Sequence, residues 1–389
     1  MYNKNLVDDI MKILSVNNES NLPLHNPVFS GNEEKYLIDC VRSNFVSSVG
    51  EYVIKFEKML VDYTGSKYAV VAVNGTAALQ VSLQLAGVEE NDEVLIPALS
   101  FIATANAVRY LNAIPHFLDV GYESLGIDPN DLDIYLSDFI EFHNGLARNK
   151  FTRRYIKAIV PMHTFGHPVD MDALCEVASK FRLTVVEDAA ESLGSFYKNK
   201  HTGTFGKVSA LSFNGNKIIT TGGGGAILTD DDELARIAKH ITTTAKIPHQ
   251  WEYRHDMVGY NFRMPAINAA LGCAQLEQLP QFVLNKRKLA DYYKRKFSKI
   301  DGVSFFSEPE YAKSNYWLNV LLLDKENAGF RDNILEETNN AGIMTRPVWK
   351  LLNTLEMYQN YPAMPLTVSR DLEQRIINIP SSAYLAENL

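Results

Sequence analysis

Short apolar runs alternate along this chain with polar, glycine-containing turns. Tyr68–Val73 (YAVVAV) reads as a buried strand, Asn74-Gly75-Thr76 as a turn, and Ala77–Ala86 as a helix that Gly87 is placed to end. The same rhythm continues downstream. Strands are predicted at Glu93–Ile96, Ile114–Val120, Ala158–Met162, Leu183–Glu187, Val208–Phe213 and Ala226–Thr229. Helices are predicted after Ser100 and over Met171–Phe181. Strands alternating with helices argue for an α/β fold around a mostly parallel sheet. Pro265–Leu279 starts with a proline and reads as a strong helix, and Phe282–Lys299 as a second, charged one. Beyond them, Tyr316–Leu323 reads as a strand and Arg331–Ala341 as a helix. Residues 132–155 read as a loop or insertion with a weak helix. This pattern divides the chain into an extension at 1–21, a large domain at 22–280 and a smaller C-terminal α+β domain at 281–389.

Composition narrows the function classes. The chain has 389 residues, long enough for two or three domains with a substantial core. Its formal net charge is −8, without a basic stripe, which argues against nucleic-acid or anionic-membrane binding through bulk electrostatics. Residues 1–20 carry charges throughout and lack the apolar run of a signal peptide. No stretch has the length and apolarity of a membrane span. Cys40, Cys175 and Cys273 are few and far apart, which fits a reducing, cytoplasmic compartment.

Three places could carry chemistry. At Asn74-Gly75-Thr76 a strand ends and a helix starts; the free N–H groups and positive dipole end of a helix N-terminus suit a phosphate, although Asn74 and Thr76 could equally be simple caps. At Val185–Glu191 (VVEDAAE) an apolar strand runs into Glu187 and Asp188, and ligands in parallel sheets bind at such strand ends. The third is Ser212–Lys217 (SFNGNK), followed by Gly222–Gly225; a desolvated lysine loses its proton readily and can become a nucleophile. Singly, each is compatible with an ordinary structural role. Together they are the parts of a pyridoxal 5'-phosphate site: an acid for the ring nitrogen, a lysine for the aldehyde, and hydroxyl and N–H donors for the phosphate. Rival motifs fail. There is no phosphate loop, no C-x-x-C, and no G-x-S-x-G elbow. His163 and His167 have helical i, i+4 spacing, but Gly166 and Pro168 preclude a helix there, so no metal site is predicted.

Four motifs in order, NGTAAL (74–79), VEDAAESLG (186–194), SFNGNK with its glycine run, and GYNFRM (259–264), resemble the DegT/DnrJ/EryC1/StrS sugar aminotransferases over about residues 22–385. The resemblance implies a fold-type I, aspartate aminotransferase-like pyridoxal phosphate enzyme. Lys217 matches the lysine that holds the cofactor, and Asp188 the partner of its ring nitrogen. Gly75, Thr76 and Ser212 match the phosphate cradle, and Phe101 the aromatic that stacks on the ring. Glu191 stands where most members carry glutamine near the cofactor's hydroxyl, and Gly223 where many carry glutamate. Asn261 matches an asparagine that reaches the cofactor phosphate of a neighbouring subunit, which implies a homodimer with shared sites. His163 and Arg346 are substrate candidates. Phe45–Gly50, Arg346–Trp349 and Asn378–Ser382 resemble the branch with the LegC-type and bacillosamine-type enzymes. The implied reaction moves an amino group from L-glutamate, released as 2-oxoglutarate, to C4 of a nucleotide-linked 4-keto-6-deoxy sugar for surface glycan synthesis. A dehydratase or 3-aminotransferase of the same family, or a non-catalytic sugar-nucleotide-binding relative, stays open as an alternative.

Overall fold

The computed structural model describes residues 4–15, 21–387 and 389. Seven strands form the main sheet: β1 (Tyr68–Ala72), β2 (Glu93–Pro97), β3 (Ile114–Leu118), β4 (Ile156–Ile159), β5 (Thr184–Asp188), β6 (Val208–Ser212) and β7 (Gly225–Thr229). Their spatial order is β1-β7-β6-β5-β4-β2-β3. Only β7 runs antiparallel to its neighbours; the remaining pairings are parallel. Strands 2, 3 and 7 are buried at every position, which is what a sheet covered on both faces requires.

The antiparallel strand positions the site. Gly225 opens β7 opposite both Ala72 of β1 and Ser212 of β6, so the segment after β1 and the end of β6 meet at one edge of the sheet. A Cβ at Gly225 would lie 2.6 Å from the Asn74 carbonyl carbon; only glycine permits that approach. The helix that follows β1 runs Gly75–Leu85 and starts two residues earlier than its apolar pattern suggests, because Asn74 caps it with Oδ1 accepting the Ala77 N–H at 2.8 Å. Gly87 follows it at φ +81°.

Two readings of the sequence change. The two helices expected at 265–279 and 282–299 are one helix of 32 residues, Ala266–Phe297, which continues through Pro280. Proline removes one helical hydrogen bond, but Leu276, Leu279 and Phe282 on both sides of it are buried in the same core cluster, and their packing holds the helix together. The stretch at 132–155 is also ordered: a helix Pro129–Phe139, capped by Asp128, leads into a hairpin pairing Ile140–His143 with Leu146–Asn149.

A second sheet lies C-terminal: β8 (Val303–Phe305), β9 (Asn319–Leu323), β10 (Arg346–Pro347) and β11 (Ile376–Ile379), in the order β8-β9-β11-β10, all antiparallel. The helix Lys4–Leu14 packs here, its Leu6, Ile10 and Leu14 joining Tyr293, Phe297, Leu321 and Ile377 in one apolar cluster. No helix among the described residues is long and apolar enough to cross a membrane.

Candidate active site

A cavity of about 320 Å³ opens at the carboxyl ends of β5 and β6 and the start of the Gly75 helix. Gly75, Thr76, Phe101, Asp188, Glu191, Ser212 and Lys217 all line it. These residues span more than 140 positions of sequence and converge because strand ends in a parallel sheet share one edge.

The cradle comes first. Asn74 occupies the Ala77 N–H and the next N–H binds the Asn74 carbonyl, which leaves the Gly75 and Thr76 N–H groups without a partner among the described residues. A Cβ at Gly75 would sit 2.7 Å from the Cβ of Ser212 and 3.0 Å from its Oγ. The helix start and the Ser212 hydroxyl are therefore as close as a side-chain-free residue allows. Two open N–H groups at a helix N-terminus and two hydroxyls suit the phosphate of pyridoxal 5'-phosphate.

Asp188 ends β5 with its side chain buried. Its Oδ2 accepts the Thr104 hydroxyl at 2.8 Å and its Oδ1 the Ala190 N–H at 3.2 Å. Burial pushes this carboxyl above its usual range; the Thr104 and Ala190 hydrogen bonds and the Lys217 charge pull the other way. A protonated ring nitrogen beside it would add a further pull toward the carboxylate. Its neighbour Glu187 points to the other side of the strand, where it accepts N–H groups from Gly203, Phe205 and Gly206 and meets His163 Nε2 at 3.0 Å. Burial raises the Glu187 carboxyl less than these partners lower it.

Lys217 follows β6 in a turn closed by its own N–H on the Asn214 carbonyl at 3.0 Å. Its Nζ lies 3.2 Å from Glu191 Oε1 and 3.9 Å from the centre of the Trp317 ring. Glu191 is pushed from 4.5 up to about 7, by burial first, with Lys217 opposing. Its other oxygen accepts the Phe165 N–H at 2.9 Å. A lysine, two acids and a phosphate cradle around one cavity fit pyridoxal phosphate by donor set and by the space that Gly75 leaves.

Three candidates from the sequence stand elsewhere. His163 is fully buried; its Nε2 meets Glu187 and its Nδ1 accepts the Val169 N–H at 3.2 Å, and it does not line the cavity. The strand-end position that drew attention to it is right, but its ring is used in packing the layer behind Asp188. Arg346 lines an adjacent cavity that shares Asn216, Trp317 and Trp349 with the first, and donates to Asn339 Oδ1 at 2.8 Å. Asn261 is exposed, with Oδ1 accepting the Arg263 Nε–H at 3.0 Å, away from the cavity of its own chain. In the other direction, Thr104, Trp317 and Trp349 line the cavity without having been singled out. Thr104 lies three residues after Phe101 in the helix predicted after Ser100, and helical spacing could have drawn it in. Trp317 lies more than 50 residues beyond the last of the four motifs, and Trp349 ends the Arg346–Trp349 segment; no local pattern marks either ring as part of the cavity.

Residues 28–388 match the model of the DegT/DnrJ/EryC1/StrS aminotransferase family. The GDP-perosamine synthase of Escherichia coli O157:H7 is 37% identical over 366 residues, 94% of each chain. That of Caulobacter vibrioides is 32% identical over 364 residues, 93% of each chain. The solved structure of Helicobacter pylori PseC, an aminotransferase involved in the biosynthesis of pseudoaminic acid, superposes with a TM-score of 0.84 at 25% identity, over 95% of this chain and 98% of the other. Lysine, acids and cradle on a fold-type I scaffold thus come with a sequence match over nearly the whole chain: it belongs to the DegT/DnrJ/EryC1/StrS aminotransferase family and is a pyridoxal phosphate-dependent sugar aminotransferase.

Proposed function

We propose that the enzyme moves the amino group of L-glutamate to C4 of a nucleotide-linked 4-keto-6-deoxy sugar, with GDP as the nucleotide. The observation that carries this is the intact Lys217 beside Asp188 and Glu191 in a chain 37% identical to a GDP-perosamine synthase. Bound pyridoxal phosphate supplies an aldehyde that carries the amine and a ring that accepts electrons. The chain supplies the rest. Gly75, Thr76 and Ser212 hold the phosphate. Asp188 keeps a proton on the ring nitrogen by offering it a buried carboxylate. Lys217 holds the cofactor between turnovers and, once released, moves a proton with its amine. Phe101, at the mouth of the cavity, covers one ring face. We further propose that two chains pair and that Asn261 of each completes the partner's phosphate site, since Asn261 is exposed and away from its own cavity.

The bacillosamine- or legionaminic-type reading becomes the second choice beside the GDP-linked one, because three of the curated relatives at 32–37% identity are GDP-perosamine synthases; a fourth, from Bacillus subtilis at 35%, is named only as a putative pyridoxal phosphate-dependent aminotransferase. The test is to incubate the purified enzyme with L-glutamate and, separately, GDP-4-keto-6-deoxymannose and the corresponding UDP-linked 4-keto sugar. Mass spectrometry of the products should show the GDP-linked amino sugar. Product only from the UDP-linked sugar would overturn the choice of nucleotide, and product from neither would overturn the reading of the acceptor.

A further inference from the structure

The amine of Lys217 must be free of the cofactor during half of each turnover, and the structure has a place built for it. Glu191 lies on one side at 3.2 Å and the Trp317 ring on the other at 3.9 Å. Both are almost fully buried, and the Lys217 side chain is 12% exposed. We propose that Glu191 and Trp317 form a seat that holds the released Lys217 amine protonated and inside the cavity until it is needed again. The proposal rests on the reading of Lys217 as the anchor lysine.

The two walls of the seat come from distant segments, and one buried side chain ties them together. Asn315 Nδ2 donates to the Glu191 carbonyl at 2.9 Å, while Asn315 Oδ1 accepts the Trp317 N–H at 2.7 Å. Trp317 has two more ties: its indole Nε1 donates to the Asn216 carbonyl at 2.7 Å, beside Lys217 itself, and its carbonyl accepts from the buried Lys286 Nζ at 3.1 Å. Glu191 is fixed by the Phe165 N–H, and Phe165 is held at φ +56°, a left-handed conformation costly for a bulky residue. Tyr316, just before Trp317, is likewise at φ +48°. Strain on both sides of the seat is what a site over-determined for function shows.

The charges that face the amine are few. Asp188 ends β5 and Glu191 follows it, and His25 comes from the segment ahead of the main sheet, where desolvation and the Lys286 and Lys217 charges hold its imidazole well below the usual range. Glu191 is thus the carboxylate in direct contact with the amine, and an aromatic face adds to the preference for the cation.

The test uses the full-length enzyme loaded with pyridoxamine phosphate, in which Lys217 carries no covalent bond. Brief acylation with acetic anhydride across about pH 6 to pH 10, with mass spectrometry of the Lys217 peptide, reads the pH at which half of the amine reacts. Glu191→Gln and Trp317→Leu should each lower that midpoint by about one unit or more, because each removes a group that favours the cation. Trp317→Phe keeps a ring and should keep the midpoint. Wild-type midpoints in Glu191→Gln or in Trp317→Leu would overturn the seat. A Trp317→Phe variant that shifts as far as Trp317→Leu would show that the indole N–H on Asn216 matters instead of the ring. Borohydride reduction of the pyridoxal phosphate form serves as the control. The cofactor mass on the Lys217 peptide establishes the anchor, and its appearance elsewhere would sink the anchor reading separately.

Discussion

The two walls of the cavity are built on different principles. The wall from the main sheet holds Gly75, Thr76, Asp188, Ser212 and Lys217 at strand ends and a helix start, each within a few residues of a backbone turn that aims it. The opposite wall, with Trp317 and Trp349, comes from the C-terminal part of the chain and is aromatic; the Phe165 ring lies 5.0 Å from Trp349 and 6.5 Å from Trp317. On the proposed reading, the first wall supplies groups that exchange protons or bind phosphate. The second supplies surface that excludes water and steadies what the first presents. Removing a group from the first wall should therefore stop chemistry, whereas changes in the second should tune it.

The largest effect expected is from Lys217→Ala, which on the proposed reading removes both anchor and proton carrier; kcat/KM for amine transfer should fall by at least ~1,000-fold. Steady-state assays checked by circular dichroism would test this, and turnover near wild type would remove Lys217 from the mechanism. Asp188→Asn should follow, with a loss on the order of 100-fold or more in kcat at unchanged fold, since on the same reading the ring nitrogen loses its carboxylate. Gly75→Ala sharpens the comparison within the first wall. The added methyl meets Ser212 at 2.7 Å, so cofactor affinity should drop and stability should fall by about 1–3 kcal/mol. Equilibrium dialysis and chemical denaturation would read the two losses.

The smallest effect concerns pH. Burial raises Glu191 from 4.5 to about 7, so the folded cofactor-free chain holds this proton more tightly than the unfolded chain does. The stability tied to the proton is present in full below about 4.5 and is lost as pH rises through about 7. Glu191→Gln does not titrate. Relative to wild type it should become more stable between pH 5 and pH 8, by on the order of 3 kcal/mol at most. Thermal unfolding of both proteins at the two pH values checks the sign, and a constant difference would show that Glu191 does not titrate in this window.

The same contrast explains what is legible in the sequence. The alternating strands and helices of the main sheet are visible because strands buried on both faces are continuous apolar runs, as in Tyr68–Val73 and Val208–Phe213. The residues of the first wall are visible because glycine, acid and lysine stand next to those runs. The break expected at Pro280 is not there, because tertiary packing of Leu276 and Phe282 outweighs a local signal. Trp317 reads as one more apolar residue of Tyr316–Leu323, since nothing local distinguishes a ring that packs in a core from one that faces a lysine across the cavity. His163 illustrates the converse: it stands at a strand end as a functional residue would, yet its partner is Glu187 on the far side of the strand.

The central claim is that Lys217 and its neighbours run amine transfer from glutamate. The most direct measurement is the visible absorption spectrum of the pyridoxal phosphate-loaded enzyme as L-glutamate, and then a nucleotide-linked 4-keto sugar, is added. The account predicts a yellow band that glutamate bleaches and the ketosugar restores. A band that glutamate leaves untouched, or no band at all with excess cofactor, would contradict it.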